Sequence, residues 1–372
     1  FILTVLVIVT LQYNKMRNTD HGYTAKGIYY SSTNGMQANK LPGVLDQLRT
    51  LSGVKTVAVG SCVPTQGGSG NNFRLPDQEK ELFNVVDFYW IDENYLSVFD
   101  IPVIEGKGFS PESSLPNDFL VSKKGAEMLT IYCNWKDGIL GKQINLTEHG
   151  VNTIRGVFPD FVINSIANPD NRPAVFSYMP DDMFQKVIVK YPSFPCNVMV
   201  RVDEGSQAGI RDKIAEVMNT AFPHQDAVVL SLEEEQREIY SDEQGFRNAM
   251  LAGNIVTLLI MLMGLLGYIV TEVSRRKKEV AIRKINGAKL SDILKIFILN
   301  LEYVAVPAVI IGLTGAWFTA DKWMQNFALK IKMSWEIFTL CSLFILLTIA
   351  VVSALNYLIV ANKNPMEALR YE

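Results

Sequence analysis

Residues 275–292 read RRKKEVAIRKINGAKLSD, a basic stretch that follows LLIMLMGLLGYIV (258–270) and leads into ILKIFILNLEYVAVPAVIIGLTGAWF (293–318). Hydrocarbon accepts ~20 mostly apolar residues per crossing helix, and Lys and Arg collect in the short loops on the cytoplasmic side. Arg275, Arg276, Lys277, Lys278, Arg283, Lys284 and Lys289 outweigh Glu279 and Asp292. The stretch therefore reads as a cytoplasmic loop between two membrane helices, with charge suited to anionic lipid headgroups.

Working outward from it, LAGNIVTLLIMLMGLLGYIV (251–270) carries Asn254 as its one strongly polar side chain, and IFTLCSLFILLTIAVVSALNYLIV (337–360) carries Asn356 near one end. The segment between them holds Lys295, Asn300 and Glu302 in its first half, so its start reads as an amphipathic surface helix and its span as the part that follows. Glu302 is expected at the inner interface, paired with Lys295 or Lys289. The opening FILTVLVIVTL is about half a span and is expected to be the tail of a truncated first helix. The expected bounds are a truncated helix over 1–14, spans at 251–272, 297–319 and 337–360, and a coupling loop at 273–295. The C-terminal tail follows as cytoplasmic. Trp317, Trp323, Phe327 and Trp335 flank the connection 320–336 as an outer aromatic belt.

Alternation then places residues 15–245 outside the membrane. Two βαβ patterns flank this region. KGIYYSST, a helix with Leu41, Val44, Leu45 and Leu48 on one face, and VKTVAVGSCV form the first. NVMVRV, a helix with Ile210, Ile214, Val217 and Ala221 at helical spacing, and AVVLSL form the second. They predict a split ferredoxin-like lobe over 15–69 and 191–235, with 70–190 as an inserted β-rich lobe. The polar run SLEEEQREIYSDEQGFRNAM leads into the first full span, with 236–250 as a stalk helix or a solvated linker. The fold class is α/β: a transmembrane helical bundle with an α+β extracytoplasmic domain.

The chain has 372 residues and a formal net charge of −3, a balance that suits neither a nucleic-acid-binding domain nor a disordered tail. His21, His149 and His224 lie far apart in sequence, with no metal-ligand spacing. There is no phosphate-binding G-x-x-x-x-G-K-[ST] loop, no G-x-S-x-G elbow and no paired-cysteine motif. The chain is thus expected to be no enzyme and to bind no metal or cofactor itself. Cys62, Cys133 and Cys196 fall in the outer region. A Cys62–Cys196 bridge is conceivable, and simple buried thiols are the favoured reading.

Within the loop, Val280, Ile282 and Ile285 sit among charges before a turn-favouring Asn286-Gly287, so a short cytoplasmic helix offers apolar side chains to a partner groove. SRRKKEVAIRKINGAKLSDILKIFILNLEY, WFTADKWMQNFALKI and NPMEALRYE resemble the permease core of the FtsX-like family, and the outer region resembles the MacB-type periplasmic core domain. The family's R-K-x-E-x-x-I-R-[KR]-x-x-G-A pattern is met by Arg276, Lys277, Glu279, Ile282, Arg283, Lys284, Gly287 and Ala288.

The resemblance implies an ABC-transporter permease of the mechanotransmission type in a bacterial inner membrane, with those eight residues coupling to a separate cytoplasmic ATPase. ATP and magnesium would sit on that ATPase. A second permease half or copy, a periplasmic partner and anionic lipid are the other implied partners, with no nucleic acid. The cargo classes are a peptide, lipoprotein, lipid or drug. The alternative reading is a regulatory membrane protein without transport, such as a sensor or an activator of cell-wall hydrolases, which the same family also contains.

Overall fold

In the computed structural model the chain divides into two units, 1–18 with 241–372, and 19–240. The structure describes residues 1–146, 150–163, 165–167, 172–205, 208–275, 279, 282–283 and 290–361.

The first unit is helical, with α1 (Ile2–Asn18), α8 (Ser241–Arg275), α9 (Leu290–Met324) and α10 (Trp335–Ala361). Among the described residues, Ser241–Glu272, Leu301–Met324 and Trp335–Leu355 are long and apolar enough to cross a membrane. Two expectations differ in detail. The 293–318 segment is not a surface helix followed by a span, because α9 runs unbroken from Leu290 through Pro307 to Met324. The polar run before the first full span is not one helix either: α7 (Leu232–Glu238) ends, Ile239 and Tyr240 intervene, and α8 starts at Ser241. Tyr240 is buried and aromatic, and its ring is held by the sheet-bearing unit, which accounts for the break.

Within the helical unit, Val5 and Val9 of α1 pack with Ala316 of α9. Near the ends of these helices Trp323 stacks on Phe246 and meets Phe327 edge-on, and the Arg247 guanidinium lies 4.7 Å from the centroid of Tyr13. Gln12, fully buried in α1, acts as a surrogate peptide for the non-helical segment after α9. Its Nε2 donates to the Leu329 carbonyl at 2.7 Å, and its Oε1 accepts from the Ile331 amide at 3.0 Å.

The second unit is a mixed sheet with helices. β1 (Ile28–Ser32), α2 (Leu41–Thr50) and β2 (Val54–Gly60) form from the first βαβ pattern; β10 (Asn197–Val202), α6 (Ile210–Asn219) and β11 (Val229–Ser231) form from the second. The strands interleave in the order β11-β1-β10-β2, and every neighbouring pair is antiparallel. Alternation sorts their side chains. Tyr29, Val57, Val59, Val198 and Val200 face α2 and α6, whereas Ile28, Tyr30, Ala58 and Met199 face the other way. Both faces are covered, so β10 is buried along nearly its whole length. On α2 the expected Leu41, Val44, Leu45 and Leu48 are the buried face; on α6 it is Ile210, Ile214 and Met218, with Val217 at its margin.

The intervening chain supplies β3 (Ser69–Arg74), β4 (Glu81–Ile91), β5 (Glu105–Gly106), β6 (Asp118–Ser122), β7 (Gln143–Leu146), β8 (Gly150–Phe158) and β9 (Ala174–Tyr178), with α3 (Tyr95–Phe99), α4 (Lys123–Cys133) and α5 (Asp181–Lys190). The pairing runs β4-β3-β7-β8-β6-β9, and β9 then pairs in parallel with β4, so six strands close on themselves. Phe73, Val86, Phe119, Ile144, Ile154 and Val175, one from each strand of this ring, share a single apolar cluster. Long β4 joins the ring to the four-strand sheet through Gly60 and Ile91. Two helices of this stretch return to that sheet: Phe184 and Ile188 of α5 pack with Leu41 and Leu45, and Tyr95 and Phe99 of α3 fill the opposite face.

Candidate functional site

Three of the eight residues of the basic-loop pattern are described. Glu279, Ile282 and Arg283 are helical, and the Arg283 Nη2 donates to Glu279 Oε1 at 2.6 Å across one turn. The spacing of four residues brings the two charges to one side of the helix. Both side chains stay about half exposed, and Ile282 is 56% exposed between them. An exposed ion pair of this kind contributes only ~0.3–0.5 kcal/mol to its helix, so holding that helix together gives it little to do. Arg276, Lys277, Lys284, Gly287 and Ala288, expected in the same segment, lie outside the described residues, as does the NPMEALRYE tail.

Glu302 is the second residue of Leu301–Met324, the part of α9 long and apolar enough to cross a membrane, and among the described residues no ion pair joins it to Lys295. Seven residues of one continuous helix separate them by ~10 Å along the axis, too far for the expected contact. Lys289 lies outside the described residues.

In the sheet-bearing unit, the start and the end of the unit meet at a polar cluster. His21 Nε2 and Tyr240 Oη are 3.0 Å apart, with both side chains buried. Burial holds the His21 imidazole below its ordinary range, opposed by a hydrogen bond to the Thr19 backbone and by the Asp20 charge. With one ring N–H given to the Thr19 carbonyl, Nε2 is the acceptor and the Tyr240 hydroxyl donates to it. The Ile166 amide donates to Tyr240 Oη at 3.1 Å, and the Val162 amide donates to the His21 carbonyl at 2.8 Å. Nearby, Tyr30 donates to Glu235 Oε2 at 2.5 Å and Thr65 to Glu235 Oε1 at 3.2 Å. The Tyr30–Glu235 bond fastens α7 onto β1, and Tyr240 is held by His21 and the Ile166 amide. Sequence reading missed this cluster. Its one local sign is a Tyr inside an otherwise polar helix-forming run.

The four cysteines are free. Cys62 packs on the face covered by α3 and Cys196 on the face covered by α2, so the sheet itself separates them. Burial pushes the Cys196 thiol up to about 12. Among the described residues, no group of three or more His, Cys, Asp or Glu side chains is placed to hold a metal ion.

Residues 251–365 match the FtsX-like permease C-terminal family, so the matched region starts within α8, contains the basic loop and α9, and runs past α10. The matched family is one of permeases, and the match takes in α9 and α10, both long and apolar enough to cross a membrane. No curated protein matches the chain by sequence. Among solved structures, the chain is similar to the periplasmic region of MacB from Actinobacillus actinomycetemcomitans, at 13% identity over 60% of this chain and 97% of that one, with a TM-score of 0.41. It is also similar to a domain of a putative permease from Porphyromonas gingivalis (17% identity, 56% and 91% coverage, TM-score 0.39). A third is the extracellular domain of the noncanonic ABC-type transporter YknZ from Gram-positive bacteria (18%, 55% and 97%, TM-score 0.37).

Proposed function

We propose that the chain is the permease subunit of an ABC transporter of the MacB/FtsX-like mechanotransmission type. In this reading a separate cytoplasmic ATPase engages the segment 273–295 through Ile282 and the Glu279–Arg283 pair. Its ATP-driven closure is passed along α8 to the unit that begins at Thr19 and ends at Tyr240, which lies outside the membrane. The four strands β11-β1-β10-β2 then form a ferredoxin-like lobe, and the ring of six strands forms the inserted lobe. The unit acts on a peptide, lipoprotein, lipid or drug without threading it through the bilayer.

The observation that carries this reading is the family match over 251–365, which contains an exposed Ile282 set beside a half-exposed ion pair between two apolar helices. The test is a pull-down of the full chain in mild detergent, with mass spectrometry of what co-purifies and an ATPase assay of the complex. We expect a P-loop ATPase whose recovery is lost on Arg283→Ala. Undiminished recovery after that change, or a cell-wall hydrolase with no ATPase, overturns it.

A further inference from the structure

We propose that the cleft at the end of α9 is a binding site for an anionic glycerophospholipid, at the end of the bundle away from the basic loop. Phe318, Thr319, Lys322, Trp323, Gln325 and Asn326 line a cleft of about 500 Å³, within the ~300–1,000 Å³ range of small-molecule sites.

Its position fixes the kind of ligand. Leu301–Met324 is long and apolar enough to cross a membrane, and the charged Asp321 and Lys322 near its end stand at headgroup level, with Phe318 ~6 Å deeper, four residues before Lys322. Phe318 is 70% exposed, an aromatic ring offered at acyl-chain depth. Above it, Lys322 is exposed and forms no ion pair among the described residues. The neighbouring Asp321 carboxylate accepts from Gln325 Nε2 at 3.1 Å and is not among the residues that line the cleft, whereas Lys322 is. Asn326 adds amide donors at the same level. Trp323 gives the cleft a preformed wall, because Phe246 stacks on it at 5.8 Å between ring centroids and Phe327 meets it edge-on at 4.6 Å.

The arrangement is an apolar floor, a rigid aromatic wall and a cation over them, which complements a phosphate carried on acyl chains. A soluble phosphate would leave Phe318 uncovered, and a zwitterionic lipid would bring a headgroup cation beside Lys322 along with its phosphate. This inference does not depend on which ATPase, if any, binds the chain.

The test uses the full chain, stripped of lipid in detergent and then titrated with phosphatidylglycerol or phosphatidylcholine, with retained lipids counted by native mass spectrometry. Wild type should retain phosphatidylglycerol in preference. Lys322→Gln should lower that retention about five-fold, the effect of one charge at a membrane surface, and Lys322→Arg should keep it. Lys330→Gln, which lies outside the cleft, should leave retention unchanged. Equal retention of the two lipids, no effect of Lys322→Gln, or an equal loss from Lys330→Gln overturns the site.

Discussion

Gln12 and Ile331, 319 positions apart in sequence, are joined by a 3.0 Å hydrogen bond from the Ile331 amide to the Gln12 side-chain carbonyl, while the Gln12 amide donates to Leu329 at 2.7 Å. One side chain thereby satisfies two backbone groups of a non-helical segment close to a membrane surface, where unpaired backbone is costly. Gln12→Leu keeps the size and removes both bonds. We expect a loss of about 1–3 kcal/mol, with faster amide exchange at Ile331 in the detergent-solubilised full chain. Exchange as slow as in wild type would rule out the clasp.

With Nε2 as the acceptor, the His21–Tyr240 bond is made by a neutral imidazole. Burial lowers the folded-state pKa below the ordinary 6.5, so the unfolded chain takes up the proton first as pH falls. The groups around the ring are Asp20, Tyr23 and Tyr240. The stabilisation is complete above about pH 6.5 and is lost as pH drops through the lowered folded value. Thermal melts of the full chain between pH 5 and 8 should show this slope. His21→Gln should flatten it, and an unchanged slope in that variant would assign the titration elsewhere.

Asp100 loses its contribution in the same direction, but at lower pH. It sits at a left-handed φ of 54° after α3, where both of its oxygens meet the Arg201 guanidinium, which also donates to the Ser97 carbonyl at 3.0 Å. The Arg201 hydrogen bonds hold the Asp100 carboxyl below the usual carboxylate range. Its contribution is present above about pH 4 and disappears as pH falls through the depressed value. Asp100→Asn should lower the melting temperature at pH 7 and have a smaller effect near pH 3; equal shifts at both would refute the assignment.

Gly106 has a φ of +78°, and a Cβ built there would stand 2.3 Å from the Arg155 carbonyl oxygen, where β5 pairs with β8. Gly106→Ala therefore meets both backbone strain of about 1–2 kcal/mol and a collision with main chain that cannot swing away. A clear drop in folded yield or melting temperature is expected, and a neutral result would show that this pairing is not as drawn.

Cys62 and Cys196 should both be alkylated after unfolding without reductant, because the sheet lies between them. A mass two hydrogens lower, with a linked peptide pair, would contradict the placement.

Parts of this architecture were legible because their signals are local. Leu41, Val44, Leu45 and Leu48 repeat at helical spacing, and Val198, Val200 and Val202 alternate, so the two βαβ segments could be read residue by residue. The ring could not. Its closing contact pairs Asp87–Ile91 with Ala174–Tyr178, and no periodicity within either strand tells which distant strand it will join. The return of α5 to the first sheet was hidden in the same way, since an apolar face at Phe184 and Ile188 does not name its partner. At the candidate site, Glu279, Ile282 and Arg283 carried a recognisable pattern, whereas His21 and Tyr240 acquire meaning only when the two ends of the unit meet. Glu302 was expected opposite Lys295 or Lys289 from the amphipathic start of its segment; about two turns of the unbroken α9 separate it from Lys295, and Lys289 lies outside the described residues.

Closing six strands on themselves also limits how copies of the protein meet. A ring offers no free strand edge, so among the described pairings the open edges are those of β11, three residues long, of two-residue β5, and of β2 beyond its Gly60 contact; Arg211 Nε already donates to the Val229 carbonyl of β11 at 2.9 Å. Confinement to a bilayer raises the local density of neighbouring molecules, and an uncapped edge there would invite runaway strand-to-strand polymerisation. The ring makes crowding tolerable.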